Sequence, residues 1–187
     1  MGVSINAYGK AEHVESVYYD RYGDVALVDG KAYHWQTDPR SFHITFIAHG
    51  SWVPRLDGLI EGETYSVTDP MEILRCSYGY YNRIRDNLAT ALTGRNRSQL
   101  YDREGAGDLF PHFKDLPGID LIDFSDCEGT LGPQACKRIH DALTADPDIK
   151  ERFIWLQAGD PIRSERIFDN FVKGFGLASK EGMVSFG

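Results

Sequence analysis

The spacing of the apolar residues changes its period close to residue 80, and that change limits the folds open to this chain. Before it, Val3–Tyr8 alternates, and Val25–Val28 and Ala32–Trp35 flank Asp29-Gly30, the residue pair that a tight antiparallel hairpin favours. Phe42–Ala48 reads as a further strand, and Tyr65–Val67 as a short one after the turn-like Glu61-Gly62-Glu63. Beyond the change, Tyr81, Ile84, Leu88 and Leu92 recur at helical spacing and Gly94 supplies a stop, which predicts a helix over Tyr80–Leu92. Further helices are expected from Gly132-Pro133 through Ile139 and Leu143, broken at Asp146-Pro147, then over Asp148–Leu156 and Ile162–Phe175, with a terminal strand at Met183–Phe186. The polar, glycine-containing stretch Arg95–Gly107 is expected to be an exposed loop, and Ile119–Phe124 an inner strand following the Pro117-Gly118 turn. The fold class this implies is α+β, an antiparallel sheet from the N-terminal third with helices from the C-terminal two thirds packed on it.

Length makes one domain over residues 1–187 the default reading. With 42% hydrophobic and 12% aromatic residues the chain has the material for a real core. Its longest apolar stretches fall far short of the roughly 20 residues a membrane-spanning helix needs, so no membrane association is expected. The start Met1-Gly2-Val3-Ser4-Ile5-Asn6 lacks the basic and apolar regions of a secretory signal, and the three cysteines Cys76, Cys127 and Cys136 show no disulfide framework. A cytoplasmic protein with reduced thiols is the expectation. A net charge of −8 disfavours nucleic acid as a partner, because that affinity comes from neutralising phosphates with Lys and Arg.

Charge is nevertheless uneven. Residues 75–100 carry a net +4, from Arg75, Arg83, Arg85, Arg95 and Arg97 against Asp86, and residues 101–130 a net −6. Either these are solvated faces with some internal pairing, or they are the basic and acidic walls of a cleft. Two compact motifs lie inside the two stretches.

The first is Ser77-Tyr78-Gly79-Tyr80-Tyr81-Asn82-Arg83-Ile84-Arg85-Asp86, at a helix start. Tyrosine stacks on a base, arginine forks onto phosphate and helix N-terminal amides favour anions, so Tyr78, Tyr81, Asn82, Arg83 and Arg85 are candidate ligand-binding residues for a nucleotide-like molecule. The bland alternative places two of the tyrosines in the core and pairs the arginines with the acidic stretch downstream.

The second motif is Phe124-Ser125-Asp126-Cys127-Glu128-Gly129-Thr130-Leu131-Gly132-Pro133, in which Ser125, Asp126 and Glu128 join the candidate ligand-binding set. Two carboxylates separated by one residue suit a divalent cation or an acid–base pair; equally, they suit a capped turn with Glu128 paired to Arg83 or Arg85. His43-Ile44-Thr45 and His49-Gly50-Ser51 are too close in sequence to face each other as a two-histidine phosphoesterase site. Cys136 and His140 lack the tight paired spacing of a zinc site. Walker A, dinucleotide-binding and serine-hydrolase signatures are missing as well. No cofactor and no metal site is assigned, and catalytic residues stay unassigned.

At these motifs the chain resembles a largely uncharacterised family of small phage, prophage and bacterial proteins. The resemblance runs through the Met1-Gly2-Val3-Ser4-Ile5-Asn6-Ala7-Tyr8 start, through Ser77, Tyr78, Tyr81, Asn82 and Arg85, and through Phe124–Gly129 with Gly132 and Pro133. Where that family often carries Trp before the matching arginine, this chain has Ile84. The resemblance implies a phage-linked context, host cytoplasm included, and no settled activity. In that context the expected function is an accessory protein acting by binding, a counter-defence factor that captures a host nucleotide signal or inhibits a host defence protein. The alternative is a metal-assisted phosphodiesterase or other hydrolase using Asp126 and Glu128. A homo-oligomer is left open.

Overall fold

The computed structural model describes residues 2–22, 25–34, 41–43, 55–104, 113–124 and 129–187, with 41–43 and 102–104 described by their backbone alone. The architecture is α+β, as the change of period predicts. Strand β1 (Gly2–Tyr8) runs through a four-stranded antiparallel sheet between β8 (Met71–Ser77) and β10 (Met183–Phe186), with β9 (Gly129–Leu131) beyond β10. The alternation of β1 puts Val3, Ile5 and Ala7 into the core. A bulge between Ile5 and Asn6 opposite β8 lets two consecutive residues of that strand, Ile73 and Leu74, be buried.

Two smaller antiparallel sheets complete the strand set. One is built from β2 (Lys10–His13), β6 (Ser41–His43) and β7 (Tyr65–Thr68), in the order β2-β7-β6. The other joins β3 (Val17–Tyr19), β4 (Val25–Val28) and β5 (Lys31–Ala32), with Asp29 and Gly30 both at positive φ in the β4–β5 turn, as that residue pair requires. Of the strand expected over Phe42–Ala48, residues 44–48 lie outside the described residues.

Helix α1 (Tyr78–Thr93) starts where Ser77 Oγ accepts the Tyr80 amide and stops at Gly94, which sits left-handed at φ 74°. Pro133 opens α4 (Pro133–Thr144), followed by α5 (Asp148–Leu156) and α6 (Pro161–Ala178), whose Asp160 cap accepts the Ile162 amide. Helices α1, α4 and α6 pack on the larger sheet and α5 packs on those helices, around Tyr81, Ile84, Leu88, Ile139, Phe153, Phe171 and Phe175. At Gly174 the sheet comes so close to α6 that a Cβ would overlap Ile73.

Two expectations are corrected. The stretch expected as an exposed loop over Arg95–Gly107 contains helix α2 (Arg97–Glu104), and Ile119–Phe124 holds a short helix, α3 (Ile119–Ile122), where a strand was expected. Leu100 anchors α2 in an apolar cluster with Ala89, Ile119 and Ile122, which outweighs its polar composition. In α3 all four residues are buried, and an apolar run that short carries no period with which to tell a strand from a helix. Among the described residues, no helix is long and apolar enough to cross a membrane.

Candidate functional site

The first motif divides by helix face. Tyr81 and Arg85, one turn apart on α1, are wholly buried. The Tyr81 hydroxyl donates to the Phe124 carbonyl at 3.0 Å, and Arg85 Nε donates to the Ile122 carbonyl at 2.9 Å. Both acceptors lie at the end of α3, where backbone carbonyls lack helical partners. Phe124 is also the first residue of the second motif, so the two motifs are in contact, and the contact is a clasp on the segment that enters the second one.

Burial sets the electrostatics of this clasp. It raises the Tyr81 hydroxyl well above the ordinary tyrosine range and lowers the Arg85 guanidinium from the usual arginine value, with Arg97 lowering Arg85 further. Asn82, half-buried, ties the two guanidiniums together: its Oδ1 accepts from Arg85 at 3.1 Å and from Arg97 at 3.3 Å. Arg97 also pairs with Asp86 at 3.5 Å and lies over the Tyr101 ring.

Behind the clasp, α3 and the residue that ends it carry two buried carboxylates, Asp120 and Asp123. The wholly buried Arg55 approaches Asp123 at 3.1 Å and Asp120 at 3.5 Å, while Arg138 of α4 grips Asp120 through two hydrogen bonds of 2.8 and 3.1 Å. Tyr101 donates to Asp123 at 3.1 Å, and Asp57 accepts the Ala135 amide in the first turn of α4 at 2.6 Å. Gly132 is forced by the same junction, because a Cβ there would overlap the Leu56 carbonyl. The buried acids of the 101–130 stretch therefore find counter-charges in Arg55 and Arg138, which no local sequence pattern picks out, while Arg85 of the basic stretch reaches a carbonyl.

The outward face of the same helix is different. Tyr78 and Arg83 are exposed and Tyr80 is half-buried. The Arg83 guanidinium lies over the Tyr80 ring, 4.8 Å from its centroid, and Arg163 of α6 lies over that ring at 5.0 Å. Arg163 and Tyr80 are the residues that sequence reasoning left out of the candidate set, and the spacing of some eighty residues between them gave it no signal.

Of the candidate ligand-binding residues, then, Tyr81 and Arg85 face the core, Asn82 sits at its edge, and Tyr78 and Arg83 face solvent. Ser125, Asp126 and Glu128 lie outside the described residues. Cys136 is buried and directs its thiol to the Leu131 carbonyl at 3.6 Å, and burial raises that thiol well above the ordinary cysteine value. Cys76 and Cys136 are both free. Among the described residues no cluster of three or more His, Cys, Asp or Glu is placed to hold a metal ion. No protein-family model matches the chain, and neither a curated protein nor a solved structure matches it.

Proposed function

We propose that this chain is a phage or prophage accessory protein that acts by binding, a counter-defence factor that captures a nucleotide signal of the host or blocks a host defence protein. The observation that carries the reading is the division of the first motif. The fold consumes Tyr81 and Arg85, yet the same helix presents Tyr78, Tyr80 and Arg83 outward, with Arg163 added from α6. Exposed arginines and tyrosines grouped this way are the residue types that dominate binding energy at recognition surfaces. The phage-linked context comes from the resemblance of the two motifs.

The branch in which the partner is a protein draws on a separate surface. Trp155 is 81% exposed and Ile162 78% exposed, and Trp155 and Pro161 border one shallow concavity where α5 gives way to α6. Tryptophan is a frequent anchor of protein interfaces.

Extracts of infected cells passed over immobilised wild-type protein and Arg83→Ala test the reading, with native mass spectrometry of what is retained. The wild type should hold an intact small molecule or a defined protein that the variant loses. Clean recovery of neither would contradict binding as the function, and recovery of a converted nucleotide would move the assignment to the hydrolase alternative at Asp126 and Glu128.

A further inference from the structure

We infer that the face of α5 around Trp155 and Glu151 docks an apolar, arginine-bearing segment of a partner protein, whose guanidinium lies on the indole and pairs with the Glu151 carboxylate. This inference rests on the protein-partner branch of the binding function proposed above and names the chemistry of that partner.

Glu151 and Trp155 stand one turn apart on α5, and so on one face of it. Both border each of two shallow concavities, of about 390 and 410 Å³. Thr90, Arg152 and Leu156 complete the first, and apolar residues including Ile154, Ala158 and Pro161 complete the second. Arg152 Nε donates to the Ala91 carbonyl at 3.0 Å, which ties α5 to α1 beside the first concavity.

Charge selects the occupant. The other polar side chains at this place have partners: Arg152 pairs with Asp146 at 2.8 Å, and the Thr90 hydroxyl donates to the Asp86 carbonyl at 3.0 Å. Lys150, the residue before Glu151, is held by Glu165 and Asp169 at 2.8 and 2.9 Å. Glu151 itself is exposed and has no ion-pair partner among the described residues. Because it borders both concavities, a segment that fills either one crowds water from its carboxylate. A purely apolar occupant would leave that charge without a partner, which is unfavourable. A segment that carries its own cation supplies one. Arginine suits the place better than lysine, because its planar guanidinium stacks on an indole and forks onto a carboxylate, while its stem lies along apolar surface. Trp155 is 81% exposed, so its ring is open to that contact. Apolar residues flanking the arginine would meet Leu156, Ile154 and Pro161. The net charge of −8 favours the approach of a basic partner as well.

NMR titration tests the docking surface, read from the Trp155 indole N–H and the backbone amides of α5. The probes are the capped tripeptide leucyl-arginyl-leucine, its neutral counterpart leucyl-glutaminyl-leucine, and argininamide. The proteins are the wild type, Glu151→Gln, Trp155→Ala and Asp148→Asn, the last of which removes a charge from the same helix but borders neither concavity. Expected are saturable shifts with the arginyl peptide, weakened by about tenfold or more with the glutaminyl peptide, in Glu151→Gln and in Trp155→Ala. Asp148→Asn should bind like the wild type, and all four proteins should melt alike. Absence of shifts, equal affinity for the glutaminyl peptide, or Glu151→Gln binding like the wild type would overturn the inference. Argininamide binding as tightly as the tripeptide would also overturn it, since the site would then read a free cation and not a protein segment. If extract capture still succeeds while these titrations fail, the docking surface is wrong and the binding function stands; if both fail, the binding function falls with it.

Discussion

Tyr81 and Arg85 each donate a hydrogen bond to a backbone carbonyl of the buried segment 122–124. Tyr81→Phe keeps the ring packed against Phe186 and removes one hydroxyl. Loss of the hydroxyl's bond to the Phe124 carbonyl should lower stability by about 0.5–1.5 kcal/mol, read as a fall in urea midpoint at constant slope. An unchanged midpoint would contradict a stabilising role for this bond. Asp57 allows a prediction in pH. Its carboxyl is raised above 3.8, first by burial, against the lowering pull of the Ala135 amide and Arg138. The folded state therefore holds the proton more firmly than the unfolded state does. The stability this contributes is present below 3.8 and lost as pH climbs through the raised value. Asp57→Asn is neutral throughout and can still accept the amide. Its stability relative to the wild type should rise with pH across that window, and a flat difference in urea midpoints would contradict the assignment.

At the scale of elements, helices α1, α4, α5 and α6 and strands such as β1, β4 and β7 could be read from the sequence because of their apolar spacing and flanking turn residues. Helix α1 with its Gly94 stop and the strand Met183–Phe186 are examples. By contrast β8 (Met71–Ser77), seven residues long and next to β1, carried an irregular pattern and was not expected. The short elements could not be read in this way. In α2 one signal was present: the Asn96 side chain accepts the Gln99 amide and the Gln99 side chain accepts the Asn96 amide, a reciprocal cap spaced as such caps are. The helix α3 had none, since its conformation is imposed by the carboxylate clamps of Arg55 and Arg138 from distant parts of the chain. Asp120→Ala would leave those two guanidiniums without their shared partner, and a loss of about 3–5 kcal/mol is expected on chemical denaturation. Gly174 sets two effects against each other. Alanine gains about 1 kcal/mol over glycine in a helix interior, whereas the overlap with Ile73 costs about 1–3 kcal/mol of overpacking. Gly174→Ala should therefore melt below the wild type, and a rise in melting temperature would show that α6 can move off the sheet.

For the molecule as a whole, the two motifs were legible as the places to look, while their division of labour was not. A stripe of Tyr81 and Arg85 at helical spacing reads equally well as pocket or as core, and their acceptors are backbone carbonyls, which leave no mark in a sequence. Arg163 of α6 reaches Tyr80 of α1 across some eighty residues of sequence, a pairing that leaves no local pattern. The hydrolase alternative predicts that a divalent cation raises the melting temperature and that Asp126→Asn with Glu128→Gln abolishes the rise. The binding function predicts no such response. The division of the first motif into an inward clasp and a solvent-facing side is tested most directly by urea denaturation of Arg85→Ala beside Arg83→Ala. Arg85→Ala should lose about 2–5 kcal/mol, from an orphaned carbonyl and an unfilled core volume. Arg83→Ala should stay within about 0.5 kcal/mol of the wild type, as exposed substitutions do. Equal losses in the two variants, or a stable Arg85→Ala, would contradict the division.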